Sequence, residues 1–332
     1  MGMNLNIKIF TEGGEKIGFG HISRCTALYD EAIRQGIPVE LFILNNEFGN
    51  NENSLLQSRK VSFVNWQDPD YLLKNLDKND LCIVDSYLAS IEIYELIAEL
   101  SKKALYLDDY GRLDYPEGIV VNPSLNTAEI EYKQKQNCEY LLGEQYIILR
   151  TAFLGKKKSC LNKRIEHVLI TLGGADPLNL TVSITNLLRE KYPELVLNVV
   201  FGKQSQLIEE LEQFENVKVY HSLNGEKMCD LMMQADIAIT AAGQTIHELM
   251  ALNIPFICIR TADNQGNNIY GLKQILEKKL ILDGMQKDFE VALLEAFIRI
   301  ETVRESCHDA NQSDAIIDGL GVKRIIKNLL LS

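Results

Sequence analysis

The sequence predicts an α/β protein built from two successive doubly wound domains. Three observations carry this: the 332-residue length with 46% hydrophobic residues; an alternation of short β-branched apolar runs with helical or loop segments; and the restart of that alternation midway. A chain this long exceeds one ordinary core and fits two domains of about 150 residues each. The alternation predicts parallel sheets with helices on both faces.

The first run, Ile7–Phe10, reads as a strand. It leads through Ile17-Gly18-Phe19-Gly20-His21-Ile22-Ser23-Arg24-Cys25 into a helix whose apolar face holds Ala27, Leu28, Ala32 and Ile33. Strand-like runs follow at Val39–Leu44, Leu81–Val84, Ala104–Leu107, Ile119–Val121 and Tyr140–Leu142. The rhythm restarts at Val168–Leu172 and continues through Leu195–Phe201, Val217–Tyr220, Ile237–Thr240, Phe256–Ile259 and Leu280–Leu282. Between the two sets, Gly155-Lys156-Lys157-Lys158-Ser159 is polar and reads as an exposed join, with anion binding by its lysines as the weaker alternative. The expected division is a first domain over 1–154, a linker over 155–164 and a second domain over 165–332. A last helix, roughly Ser313 to Leu331, presents Ile316, Ile317, Leu320, Ile325, Ile326 and Leu329 and must pack somewhere; a return to the first domain is one option.

Composition narrows the function. A formal charge of −12, without any long Lys/Arg run, argues against nucleic-acid binding. The seven cysteines contain no C-x-x-C pair, so neither a disulfide framework nor a zinc knuckle is indicated. Cys82 and Cys258 fall inside strand-like runs and read as reduced core residues. No signal-peptide pattern and no apolar stretch near the ~20 residues of a membrane helix is present. Asn6 breaks the myristoylation pattern that Gly2 would need. The expected location is the cytoplasm, without membrane insertion.

In open α/β sheets ligands bind beyond the carboxyl ends of the strands, so polar residues just past each run are the candidates. In the first half these are Gly18 to Arg24, Asp85-Ser86-Tyr87, Asp108-Asp109-Tyr110 and Asn122-Pro123-Ser124. The second half offers Gly173-Gly174-Ala175-Asp176, Ala241-Ala242-Gly243-Gln244-Thr245 with Glu248, and Asp263-Asn264-Gln265.

A glycine turn before a helix leaves backbone N–H groups open to an anion. His21 stands there, where the helix dipole favours the neutral imidazole that a general base needs. An arbitrary Gly-X-Gly-His is more often a structural turn, so this assignment leans on the other residues. Gly173-Gly174 followed by Asp176-Pro177 reads as a tight turn, an N-cap and a proline at the first helical position. Gly243 opens a helix whose Gln244 and Thr245 N–H groups, with the Thr245 hydroxyl, suit a diphosphate. Glu248, one turn on, suits the hydroxyls of a ribose.

Rival readings are weaker. A nicotinamide dinucleotide site would want glycine where Ser23 stands and an acid after Leu44-Asn45. His21 and Cys25, four apart on a helix, raise a Cys–His nucleophile, but Cys25 lies about a turn inside and is expected to pack on the sheet. Asp108-Asp109 lacks a spaced third ligand for a divalent cation.

Taken together, these residues resemble the UDP-2,4-diacetamido-2,4,6-trideoxy-beta-L-altropyranose hydrolases of pseudaminic acid biosynthesis and the related spore-coat polysaccharide proteins. The resemblance rests on the segment Ile17 to Cys25, then Val84-Asp85-Ser86-Tyr87, Leu107-Asp108-Asp109, Leu142-Gly143 through Leu149-Arg150, Leu172 to Pro177, Ala242 to Thr245 with Glu248, and Asn264-Gln265. It implies two Rossmann-like domains facing a cleft, as in the B-type glycosyltransferases (GT-B-like), with UDP held mainly by the second. It also implies hydrolysis in which water attacks the anomeric carbon and UDP leaves with inversion, without a metal or cofactor. His21 becomes the general base, and Tyr87 and Asn264 contact substrate or water. The expected substrate-binding set is Gly18, Gly20, Arg24, Asp85, Asp109, Gly173, Gly174, Asp176, Gly243, Gln244, Thr245, Glu248 and Gln265, in a monomer or weak homo-oligomer. One departure is Thr11-Glu12-Gly13-Gly14, where the family usually carries an aspartate-containing segment. A UDP-sugar-dependent glycosyltransferase and a non-catalytic nucleotide-sugar binder are the alternatives.

Overall fold

A computed structural model describes residues 5–14, 18–44, 56, 58–127, 130–133, 135–173, 176–201, 211–221, 223–313 and 317–331, with the side chains of Asn264 and 307–313 left aside. The chain divides into two compact units, Met1–Thr151 with Gly319–Ser332, and Ala152–Asp318.

The first unit contains β1 (Asn6–Thr11), α1 (Gly20–Arg34), β2 (Val39–Leu44), β3 (Val61–Val64), α2 (Pro69–Asn75), β4 (Asp80–Asp85), α3 (Ile91–Leu100), β5 (Lys103–Leu107), β6 (Gly118–Asn122) and β7 (Cys138–Leu142). Its seven strands are all parallel in the order β3-β2-β1-β4-β5-β6-β7. Alternate residues of the central strands fill opposite layers. Ile7 and Ile9 pack with Ile22 and Leu28 of α1, whereas Phe10, Val84 and Tyr106 pack with Trp66 and Tyr94. Strand β3 is absent from the sequence reading. Its four residues are only partly buried and Phe63 is exposed, so this edge strand lacks the continuous apolar run of its neighbours.

The second unit contains β8 (His167–Thr171), α4 (Leu180–Lys191), β9 (Val196–Phe201), β10 (Val217–His221), α5 (Gly225–Gln234), β11 (Ile237–Ala241), α6 (Thr245–Ala251), β12 (Phe256–Arg260), α7 (Gly266–Ile275), β13 (Ile281–Asp283) and α8 (Phe289–Ser313). Its sheet is parallel, in the order β10-β9-β8-β11-β12-β13. Both sheets thus run outward in two directions from a central pair, the doubly wound pattern.

One expectation changes. The single last helix is two: α8 ends at Ser313 and α9 runs over Gly321–Leu330. Gly319, at φ +74°, makes the left-handed turn before α9. Val322, Ile325, Ile326 and Leu329 of α9 join the core of the first unit beside α1. Leu320 is exposed rather than packed, and Ile316 lies outside the described residues. The lysine-rich segment is exposed at Gly155, Lys156, Lys157 and Ser159, while Lys158 is tied to the second unit. Lys158 donates its backbone N–H to Leu252 O at 2.8 Å and its Nζ to Ala235 O at 2.6 Å. Asp236, fully buried, accepts from Asn162 Nδ2 at 2.7 Å and from the N–H groups of Glu166 and His167 at 2.9 Å.

Candidate active site

In the first unit the strand order reverses between β1 and β4, the position where open sheets leave a crevice at their carboxyl ends. Three candidate segments converge there. The loop after β1 closes as a short antiparallel bridge, Gly14 N–H to Gly18 O at 3.1 Å and Gly18 N–H to Gly14 O at 2.7 Å. Gly18, at φ +83°, takes a conformation that side chains disfavour. Helix α1 then starts at Gly20 with no side-chain cap.

His21 and Arg24, one turn apart on α1, both turn inward to Asp85 at the end of β4. His21 Nδ1 lies 2.6 Å from Asp85 Oδ1. Arg24 donates Nε to Asp85 Oδ2 at 2.5 Å and NH2 to Oδ1 at 2.6 Å; it donates NH1 and NH2 to Asp109 at 2.6 and 3.0 Å. Tyr87 donates its hydroxyl to Asp109 and stands edge-on to His21, ring centroids 4.4 Å apart and planes at 90°.

The tautomer of His21 follows from donor counting. Asp85 accepts only, and both NH2 hydrogens of Arg24 already go to carboxylates, so the proton on Nδ1 belongs to the bond with Asp85. In the neutral ring that leaves the lone pair on Nε2.

Electrostatics keep this arrangement charged where it must be. Burial alone would raise Asp85, but the Arg24 guanidinium and then His21 overcome it and hold the carboxyl below its ordinary range. Burial likewise opposes ionisation of Asp109, and Arg24 outweighs it. Burial, then the neighbouring Asp109 carboxylate, pushes the Tyr87 phenol well up, so it stays a neutral donor. Burial and then Asp85 raise the Cys25 thiol far above its usual value. Cys25 sits in the core, its Sγ donating to Asp85 Oδ2 at 3.7 Å, and is not a thiolate nucleophile.

Asp108, by contrast, is consumed by its own loop. It accepts from the N–H groups of Gly111 and Arg112 at 2.6 and 3.0 Å, from the Tyr115 hydroxyl at 3.0 Å, and from Tyr132. Among the described residues no group of three His, Cys, Asp or Glu side chains is arranged to hold a metal ion.

The second unit reverses between β8 and β11. Gly173 follows β8, and Gly174 lies outside the described residues. The expectation of Pro177 at the first helical position is corrected: α4 begins at Leu180, three residues later. The residue at the N-cap is Asn179 rather than Asp176, which reaches the helix start from three residues further back and accepts from the N–H groups of Leu180 and Thr181 at 3.1 and 3.0 Å. Gly243 and Gln244 lead into α6, where Glu248 is only 5% exposed. Gln244 Oε1 lies 3.2 Å from His247 Nδ1. Asn264 sits in a short turn, Asp263–Gln265, and Gln265 Oε1 accepts from the N–H groups of Thr261 and Ala262 at 2.8 and 3.3 Å. The sequence reading missed Asn268, whose Nδ2 donates to Ala242 O at 2.9 Å and steadies the turn before Gly243. It also gave Glu12 no role of its own.

These two parallel, doubly wound units define a glycosyltransferase-like α/β protein of the GT-B kind. Residues 167–320 match the glycosyltransferase family 28 C-terminal domain. The solved structure of Acinetobacter baumannii MurG aligns over 98% of this chain and 99% of its own, with a TM-score of 0.64 at 15% identity. Methanocaldococcus jannaschii UDP-GlcNAc 2-epimerase, solved in complex with UDP-GlcNAc and UDP, aligns over 99% and 100%, with a TM-score of 0.64 at 13% identity.

By sequence the chain is homologous to the hydrolases and spore-coat proteins it resembles. It is 24% identical to the Helicobacter pylori pseudaminic acid cytidylyltransferase and UDP-2,4-diacetamido-2,4,6-trideoxy-beta-L-altropyranose hydrolase, over 86% of this chain and 50% of that protein. It is 24% identical to the Bacillus subtilis spore coat polysaccharide biosynthesis protein SpsG, over 79% of each. An uncharacterized Methanocaldococcus jannaschii protein is 27% identical over 77% of this chain and 55% of its own length. The chain therefore spans about half the length of the first and last of these relatives. No described helix is long and apolar enough to cross a membrane.

Proposed function

We propose that the chain hydrolyses a nucleotide sugar, a UDP-linked amino sugar of the diacetamido-trideoxy kind, for surface-glycan or nonulosonic acid synthesis. His21 Nε2 takes a proton from water as the water oxygen attacks the anomeric carbon; the C–O bond breaks and UDP departs with the electron pair. The observation that carries this reading is the 2.6 Å contact of His21 Nδ1 with a buried, ionised Asp85. It holds the ring by Nδ1, which in this reading leaves Nε2 to take the proton of water, and it supports the positive charge that develops on the ring. In this reading the helix start at Gly243 to Thr245 binds the diphosphate and Glu248 the ribose. UDP complexes of proteins sharing the fold support the choice of nucleotide.

Phosphorus NMR of the protein with a panel of UDP-amino sugars, without acceptor or added metal, tests this. UDP should appear with wild type and be largely lost with His21→Ala. The match to a glycosyltransferase family 28 domain favours a second reading, transfer to an acceptor hydroxyl deprotonated by the same nitrogen. UDP release that requires an added acceptor would select it, whereas a donor that binds and stays intact would make the chain a passive binder.

A further inference from the structure

Glu12 lies immediately past β1, and only 1% of it is exposed. Its Oε1 accepts the backbone N–H of Tyr87 at 2.6 Å and of Leu88 at 3.0 Å, and its Oε2 accepts the Ser86 hydroxyl. Ser86 Oγ in turn accepts the N–H groups of Leu88 and Ala89 at 3.1 and 2.9 Å. The donors of the turn after β4 thus converge on one side chain from the neighbouring strand, while its carbonyls are held from the other side: Ser86 O accepts the Tyr94 hydroxyl at 2.9 Å, and Tyr87 O and Ala89 O accept from Arg112 at 3.3 and 3.2 Å. That strand end is itself held, because Trp66 Nε1 donates to Thr11 O at 2.8 Å.

We propose that Glu12 is a positioning residue whose length, not its charge, sets where Tyr87 stands across His21. Tyr87 is fixed at both ends, its backbone by Glu12 and its phenol by Asp109, and so its ring is held perpendicular to the imidazole. An aspartate at position 12 keeps the charge but is shorter by one methylene, about 1.5 Å. From an anchored strand end it cannot reach all three donors. Glutamine keeps the length: its carbonyl accepts the N–H groups of Tyr87 and Leu88, which hold Tyr87 in place, while its amide meets a Ser86 Oγ that already accepts two N–H groups, so the contact to Ser86 is the one given up. A general-acid role would give the opposite order, because aspartate retains an ionisable proton and glutamine does not.

The kinetic test of this inference rests on the hydrolase reading; the spectroscopic one does not. For Glu12→Gln, Glu12→Asp and Glu12→Ala, kcat and KM for UDP release are measured alongside Tm and the proton shift of His21 Cε1–H, which feels the Tyr87 ring. Glu12→Gln should keep kcat within about threefold, while Glu12→Asp and Glu12→Ala lose roughly 10- to 100-fold in kcat with far smaller changes in KM. The His21 resonance should move in the last two and stay in the first. Should Glu12→Ala fail to fold, the Asp and Gln variants decide. Wild-type kcat and an unmoved resonance in Glu12→Asp would overturn the proposal, as would a Glu12→Gln variant as impaired as Glu12→Asp. A purely structural Glu12 would lower Tm while leaving kcat per folded molecule and the resonance alone. If wild type releases UDP from no donor, the hydrolase reading fails and the resonance still decides the role of Glu12.

Discussion

Under the proposed hydrolysis with His21 as base, Asp85→Asn is the sharpest perturbation of the site. Asp85 accepts from His21 Nδ1, Arg24 Nε and Arg24 NH2, all within 2.6 Å. An asparagine offers one carbonyl and one NH2 group. If the carbonyl stays with Arg24 Nε, the NH2 faces both Arg24 NH2, which must turn to Asp109 alone, and His21 Nδ1, which must then accept, and the ring proton moves to Nε2. The base nitrogen is thereby blocked. Loss through a wrong tautomer is on the order of 10⁴-fold in kcat, about 5 kcal/mol of barrier.

The effect on stability should be smaller, about 3 kcal/mol, because Arg24 keeps its second carboxylate, Asp109, and is not left as an unpaired buried charge. It should also depend on pH. Folding holds the Asp85 carboxyl below its ordinary range, against burial, through Arg24 and His21. The resulting stabilisation is complete above the unfolded aspartate value of about 3.9 and fades as pH falls through the lower folded value. The gap in stability between wild type and variant should therefore be constant near neutrality and narrow in acid. Phosphorus NMR gives the rate, nitrogen-15 NMR of the imidazole gives the tautomer, and thermal melts across pH give the gap. A variant within tenfold of wild type, or one that keeps the proton on Nδ1, would refute the reasoning.

Two further outcomes follow from the same geometry. Tyr87→Phe removes a phenol that donates to Asp109 but leaves the ring edge-on to His21 and leaves Asp109 paired with Arg24. It should cost no more than about tenfold in kcat, and Tyr87→Ala clearly more; equal losses would assign a proton-transfer role to the hydroxyl. Thiol labelling of the native protein, read by mass spectrometry at about pH 8, should reach exposed Cys160 and spare Cys25, Cys82 and Cys258. Burial pushes the Cys82 thiol up to about 12 and raises Cys25 and Cys258 as well. Labelled Cys25 in folded protein would revive the Cys–His alternative.

Much of the fold was legible because both sheets are buried on two faces, so their strands read as continuous apolar runs. Ile7–Phe10 and Leu81–Val84 fall inside β1 and β4, and Ile237–Thr240 falls inside β11. Strand β3 escaped because it is a half-exposed edge. The split before α9 escaped because the apolar periodicity of the flanking helices runs on past it; only Asp318-Gly319 marks the break, and its meaning is conformational.

The site divides in a similar way, for a different reason. Collecting polar residues at strand ends brought together His21, Arg24, Asp85, Tyr87 and Asp109, which the structure joins directly. The same rule also gathered Asp108, Asp176 and Gln265, whose oxygens already accept backbone N–H groups nearby in the chain, Asp108 also the hydroxyls of Tyr115 and Tyr132. A turn needing a cap and a ligand needing a donor or acceptor recruit the same side chains, and sequence spacing does not separate them. What separates them is the partner. Asp108 accepts backbone N–H groups three and four residues ahead, whereas Asp85 binds two side chains from a helix more than sixty positions earlier. Glu12 belongs with Asp85 by that measure: its carboxylate reaches across the switch point to a turn more than seventy positions away, and the residue that turn carries is Tyr87.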